Sequence, residues 1–71
     1  MKPLTLARID EENIIVKING TKETKKHLED LGFIAGSRVK VLAEVHPGDL
    51  IVCIRDTRVA ITKEIAAEIM I

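Results

Sequence analysis

The chain reads as mostly β: a small antiparallel barrel of about five strands, with one short helix and a C-terminal helical turn. Three observations lead there. Isoleucine and valine total 17 residues against 6 leucines, and β-branched side chains lose rotamer freedom in helices but pack well on a pleated surface. Apolar residues alternate with polar ones in several short runs, the period of a half-buried strand. Tight-turn residues separate those runs, which favours a meander; curling so small a sheet into a barrel removes most exposed edges. With 71 residues, a single domain over 1–71 with a small core is expected.

Leu4, Leu6 and Ile9, spaced by polar or small residues, suggest an extended, half-buried start. Residues 10–13 suggest a polar turn. Ile14, Val16 and Ile18 then alternate with Ile15, Lys17 and Asn19, which predicts a first strand whose apolar face carries the first three. Asn19-Gly20 ends it. Thr21 can cap a helix through its hydroxyl. That helix runs from Lys22 and stops at Gly32, which supplies the left-handed conformation of a C′ residue. Leu28 then stands at C3 and Phe33 at C″, the hydrophobic pair of a Schellman ending. Gly36 is third in Ile34-Ala35-Gly36-Ser37, where a type II turn requires positive φ.

A strand follows, with Val39, Val41, Ala43 and Val45 on one face and Arg38, Lys40, Leu42 and Glu44 on the other. His46-Pro47-Gly48-Asp49 places Pro47 and Gly48 for a second type II turn. Leu50, Val52 and Ile54 alternate with Ile51, Cys53 and Arg55. A turn at Asp56-Thr57 leads into a strand over 58–61. Thr62 caps a last helical turn holding Ile65, Ala66 and Ile69, and Ile69-Met70-Ile71 closes the sheet. Leu28, Leu31, Val39, Val41, Val52 and Ile54 are the expected core.

Composition excludes several functions. The net charge is zero, with 11 basic and 11 acidic residues, so the attraction behind non-specific nucleic-acid binding is missing. Phe33 is the one aromatic residue, leaving no platform for stacking bases or docking polyproline. A translation-type RNA-binding barrel is therefore disfavoured. A lone cysteine, Cys53, fits a reducing compartment. The longest aliphatic run, Leu50 to Ile54 with Cys53 inside it, is too short to cross a bilayer, and no signal peptide is apparent. A soluble cytoplasmic protein is expected.

The motif Leu28-x-x-Leu31-Gly32-Phe33-x-x-Gly36-x-x-Val39-x-Val41 is followed by Gly48-Asp49, Val59-Ala60-Ile61 and Ala66-x-x-Ile69-x-Ile71. This pattern resembles the FeoA family over nearly the whole chain, and the helix-to-strand segment is its most specific part. The resemblance implies an SH3-like small barrel. It also implies a non-enzymatic cytoplasmic accessory role in bacterial ferrous-iron uptake, with the GTP-hydrolysing permease FeoB as partner. A similar domain ends some iron-dependent repressors, so a metal-responsive regulatory domain is the alternative. The chain departs from the family in three places. Residues 10–13 stand where a glycine is common, Leu50 where proline usually follows Gly-Asp, and Asp56 where the last hairpin usually has glycine. Aspartate tolerates left-handed geometry better than most residues.

No nucleophile sits beside a base in a recognisable motif, and Gly32 and Gly36 follow a helix instead of opening one, the wrong order for a phosphate loop. No cofactor is expected. His27, His46 and Cys53 do not have the spacing of a metal site; His46 and Cys53 are weak candidates, and solvated or structural roles are the plainer reading. The acids at 10–12 and at 29–30 lack a surrounding calcium-loop signature. The helix is unusual in its charge order. Lys22, Lys25 and Lys26 crowd its N-terminus while Glu29 and Asp30 crowd its C-terminus, against the macrodipole. Pairs Lys25–Glu29 and Lys26–Asp30 would recover part of the cost. A solvated face with drifted charge order is the plainer account. The functional account is a basic patch, extended by Arg38 and Lys40, that meets an acidic partner. Phe33, Ile34 and the 46–50 loop are the next partner-site candidates, and exposed edge strands would allow weak pairing of two copies.

Overall fold

Thr21 opens the main helix, α1 (Lys22–Asp30), its hydroxyl oxygen accepting from the Thr24 N–H at 3.1 Å. The helix ends as its glycine requires. Gly32 has φ 104°; its N–H donates to the Glu29 carbonyl at 2.9 Å, and the Phe33 N–H donates to the Leu28 carbonyl at 2.8 Å. These are the two bonds of a Schellman motif, and Leu28 and Phe33 share one core. Gly36 has φ 91° and the Ser37 N–H donates to the Ile34 carbonyl at 3.0 Å, closing the expected turn.

The computed structural model describes all of residues 1–71. Six strands form two antiparallel sheets. In chain order they are β1 (Glu12–Ile14), β2 (Lys17–Ile18), β3 (Arg38–His46), β4 (Asp49–Ile54), β5 (Thr57–Ile61) and β6 (Ile69–Met70), with α2 (Lys63–Glu68) before the last. The larger sheet has the order β1-β3-β4-β5, and the smaller pairs β2 with β6. The architecture is mostly β, with one strand more than the sequence pattern suggested and a six-residue α2 where a single helical turn was expected. Twelve apolar residues make one core, among them Leu28, Phe33, Val39, Val41, Val52 and Ile54.

Several expectations are corrected. The first strand is not one strand. β1 pairs with β3 and β2 with β6, and the chain changes sheets between them. At this corner the Ile15 N–H donates to the Ser37 carbonyl and the Val16 N–H to the Met70 carbonyl. Ile15 is therefore buried, while Ile14 and Val16 are each 51% exposed; the predicted apolar face is inverted over 14–16, and of its three residues Ile18 alone packs against the core. The N-terminal stretch is a 3-10 turn (Leu4–Leu6) that buries only Leu4. Residues 10–13 are part turn and part strand.

Val39 and Val41 point inward, but Ala43 and Val45 do not continue their face. The register shifts at Val41/Ala43 and again at Glu44/His46, and each extra residue reverses the alternation. Leu31, expected in the core, is 39% exposed. The Schellman ending swings Phe33 beneath the last turn, where it takes the place that the spacing of Leu31 claimed. The last hairpin turns one residue earlier than expected, on Arg55 and Asp56, with φ 51° and 60°. That two-residue connection with both φ positive is the type I′ turn whose twist matches its strands. Asp56, and Asp10 (φ 66°), thus hold left-handed positions where the family pattern favours glycine.

The 46–49 turn forms with Gly48 at φ 90°. Here Leu50 follows Asp49 without a proline, and side chains fix the loop instead. The Gly48 N–H donates to Glu44 Oε2 at 2.7 Å, and the Lys63 N–H donates to Asp49 Oδ1 at 2.8 Å. The second bond ties the turn to the start of α2, where the Thr62 hydroxyl also caps.

A basic groove on the outer sheet face

Strand alternation builds the candidate site. Because Val39, Val41, Val52 and Ile54 face the core, their neighbours Arg38, Lys40, Cys53 and Arg55 face out. Pairing then aligns Glu12, Lys40, Cys53 and Arg58 in one row across the four strands. Arg38 and the Arg55-Asp56 turn flank that row. Together with Ser37 and Val39, most of these residues line an open depression of about 430 Å³. Arg38, Lys40 and Arg55 line it with two acids, Glu12 and Asp56, and Arg58 stands next in the row, although the chain as a whole is neutral.

Arg38 Nη1 lies 3.4 Å from Glu12 Oε1, the only ion pair, with the arginine side chain 76% exposed. Such a pair is worth less than about 1 kcal/mol, so the guanidinium stays available to a partner. Arg55 is placed by the helix ending. A Cβ built on Gly32 would come within 2.9 Å of Arg55 Cδ. The arginine stem thus lies across the bare glycine that stops α1, and the helix stop and the groove share one contact.

The structure gathers some predicted site residues and separates others. Arg38 and Lys40 stand together, with Cys53 beside them and half-buried. Lys22, Lys25 and Lys26 are exposed on α1 and do not line the groove. Neither Lys25–Glu29 nor Lys26–Asp30 forms an ion pair. Phe33 is fully buried and offers no surface to a partner; Ile34, 38% exposed, remains at the surface near Leu31. His46 lies opposite Asp49 at one end of the β3–β4 hairpin, whereas Cys53 lies opposite Lys40. Four residues of β4, roughly 13 Å of strand, separate those positions, and the structure does not bring the two side chains together. No group of three or more His, Cys, Asp or Glu residues is placed to hold a metal. Arg55 and Arg58 were not singled out as site residues by the sequence. The alternation already put Arg55 beside Cys53, and only the β4–β5 register adds Arg58. No helix is long and apolar enough to cross a membrane.

Comparison with curated proteins gives no match. Among solved structures, an iron uptake regulatory protein, FeoA, is similar with a TM-score of 0.84 at 26% identity, over 96% of this chain and 89% of that one. The Stenotrophomonas maltophilia FeoA is an SH3-domain protein solved with zinc and proposed as a ferrous iron transport activating factor. It aligns with a TM-score of 0.83 at 20% identity, over 99% of this chain and 88% of its own. A manganese-dependent transcriptional repressor aligns with a TM-score of 0.84 at 21% identity, over 96% of this chain but 39% of that one. The fold is thus SH3-like. The FeoA domain model matches residues 2–71, and the chain belongs to the FeoA family.

Proposed function

We propose that this chain is a non-enzymatic, cytoplasmic accessory protein that binds and modulates a FeoB-type, GTP-hydrolysing ferrous-iron permease in bacterial iron uptake. Family membership supports the iron-uptake setting. The observation that carries the binding site is the basic groove, in which Arg38, Lys40 and Arg55 line one concave face of a neutral chain. Such a face complements an acidic patch on a protein. Arginine suits the role, because its planar fork grips carboxylates through two parallel bonds. Lys22, Lys25 and Lys26 lie outside the groove and act at longer range, raising the rate of encounter.

The test is a titration against the permease's cytoplasmic GTP-hydrolysing portion. Arg38→Glu with Lys40→Glu should weaken binding at least about tenfold, mainly through faster dissociation. Replacing Lys22, Lys25 and Lys26 with glutamine should slow association and leave dissociation unchanged, an effect that shrinks as salt rises. Parent-like affinity for the Arg38/Lys40 variant would remove the groove from the interface.

A second reading has one observation behind it, the likeness to the manganese-dependent repressor. On that reading the chain is a metal-responsive regulatory domain. Calorimetry with ferrous or zinc ion separates the two: stoichiometric binding supports the second, and its absence the first.

A further inference from the structure

We propose that β5 is a self-pairing edge, through which two copies of this chain join their larger sheets into one. β5 is last in the sheet order, and its backbone pairs only with β4. The other margins are short, covered or bulged: β3 outruns β1 toward His46, but its register shifts twice there. β1 has three residues and β2 two. The outer side of β6 is taken by Pro3 and by the paired bonds between Lys2 and Ile71. β5 runs five residues in unbroken register. It has neither proline nor bulge, two devices that normally blunt an edge.

The hydrogen-bond phase makes this edge self-complementary. In a two-residue hairpin the flanking pair, here Ile54 and Thr57, is hydrogen-bonded, and pairs alternate from there. Thr57, Val59 and Ile61 therefore turn their N–H and C=O groups toward β4. Arg58 and Ala60 turn theirs outward, and both are exposed. A second β5, antiparallel about a two-fold axis at Val59, sets Arg58 opposite Ala60 of the other copy at both ends. Each outward N–H and C=O then finds its counterpart, and all five residues overlap. Shifting the axis to Arg58 would oppose two arginines, which is unfavourable. Shifting it to Ala60 would leave only three residues of overlap. The favoured register also lets the two half-buried Val59 side chains cover each other. It aligns two basic grooves on one continuous outer face.

Sedimentation equilibrium of the whole chain, from micromolar to millimolar concentration, tests this, with far-UV circular dichroism reporting the fold. The parent should show a reversible monomer–dimer equilibrium, with the Arg58 and Ala60 amides becoming protected from exchange as concentration rises. Ala60→Pro removes an N–H that β4 does not use and should leave a folded monomer. Ala60→Lys, facing Arg58 of the other copy, should weaken the dimer, and Ala60→Glu should tighten it. If Ala60→Pro fails to fold, the lysine and glutamate variants decide by their order. A parent that stays monomeric at millimolar concentration overturns the proposal. So does a dimer that persists unchanged in a folded Ala60→Pro variant, or one indifferent to the sign of charge at position 60.

Discussion

The joint from Leu28 to Ser37 and the N-terminal run from Lys2 to Ile18 are held by opposite means. In the joint, the bonds that end the helix and close the turn link near neighbours: Phe33 to Leu28, Gly32 to Glu29, Ser37 to Ile34; only its far end, at Gly36 and Ser37, also bonds Ile15. In the N-terminal run, apart from the local bonds of the 3-10 turn and of Glu11 to Arg8, they reach across the chain: Lys2 to Ile71, Val16 to Met70, Ile15 to Ser37. The helix stop and the turn need only the conformations that their glycines allow and a capped helix. The N-terminal run takes its shape from partners up to a chain-length away. In the joint the backbone path sets burial; at the sheet-switching corner the pairing partners do.

The largest expected effect probes that corner. Ile15→Ala should cost about 2–5 kcal/mol, since the side chain is fully enclosed. Ile14→Ala and Val16→Ala, at half-exposed neighbours, should each cost under about 1 kcal/mol. Urea midpoints measure all three, and a larger loss at Ile14 than at Ile15 would deny the corner. The joint is probed next by two glycines of like φ. Gly32→Ala should cost about 1–3 kcal/mol, through backbone strain and the approach of Arg55. At Gly36 nothing lies within 4 Å of an added Cβ, so Gly36→Ala should cost only the strain and fall below Gly32→Ala. The smallest effect is at Leu31. With its side chain partly in solvent, Leu31→Ala should cost under about 1 kcal/mol, well short of the 2–5 kcal/mol of a buried leucine. Protection of its neighbours' amides should match the parent.

What could be read from the sequence follows the same division. The α1 cap, the Schellman ending, both type II turns and the inward faces of Val39, Val41, Val52 and Ile54 were legible, because each depends on residues within a few positions. The burial of Ile15, the exposure of Ile14 and the reversals at Ala43 and Val45 were not. A change of sheet and two bulges break a period of two without leaving a local mark. The site was half legible for the same reason. Alternation put Arg38 and Lys40 on one face, and Cys53 with Arg55 on another. That the two faces are one followed from the β3–β4 register, and that Phe33 belongs to the core followed from how the helix ends.

On the proposed function, the outer sheet face is where this chain would meet its partner. Amide chemical-shift mapping of the labelled chain, titrated at low salt with the permease's cytoplasmic GTP-hydrolysing portion, tests it most directly. Shifts should concentrate at Ser37 to Lys40 and Cys53 to Arg58, with smaller, salt-sensitive changes along α1. Shifts confined to the 46–49 turn or to the surface around Leu31 and Ile34, with the groove amides unmoved, would contradict it.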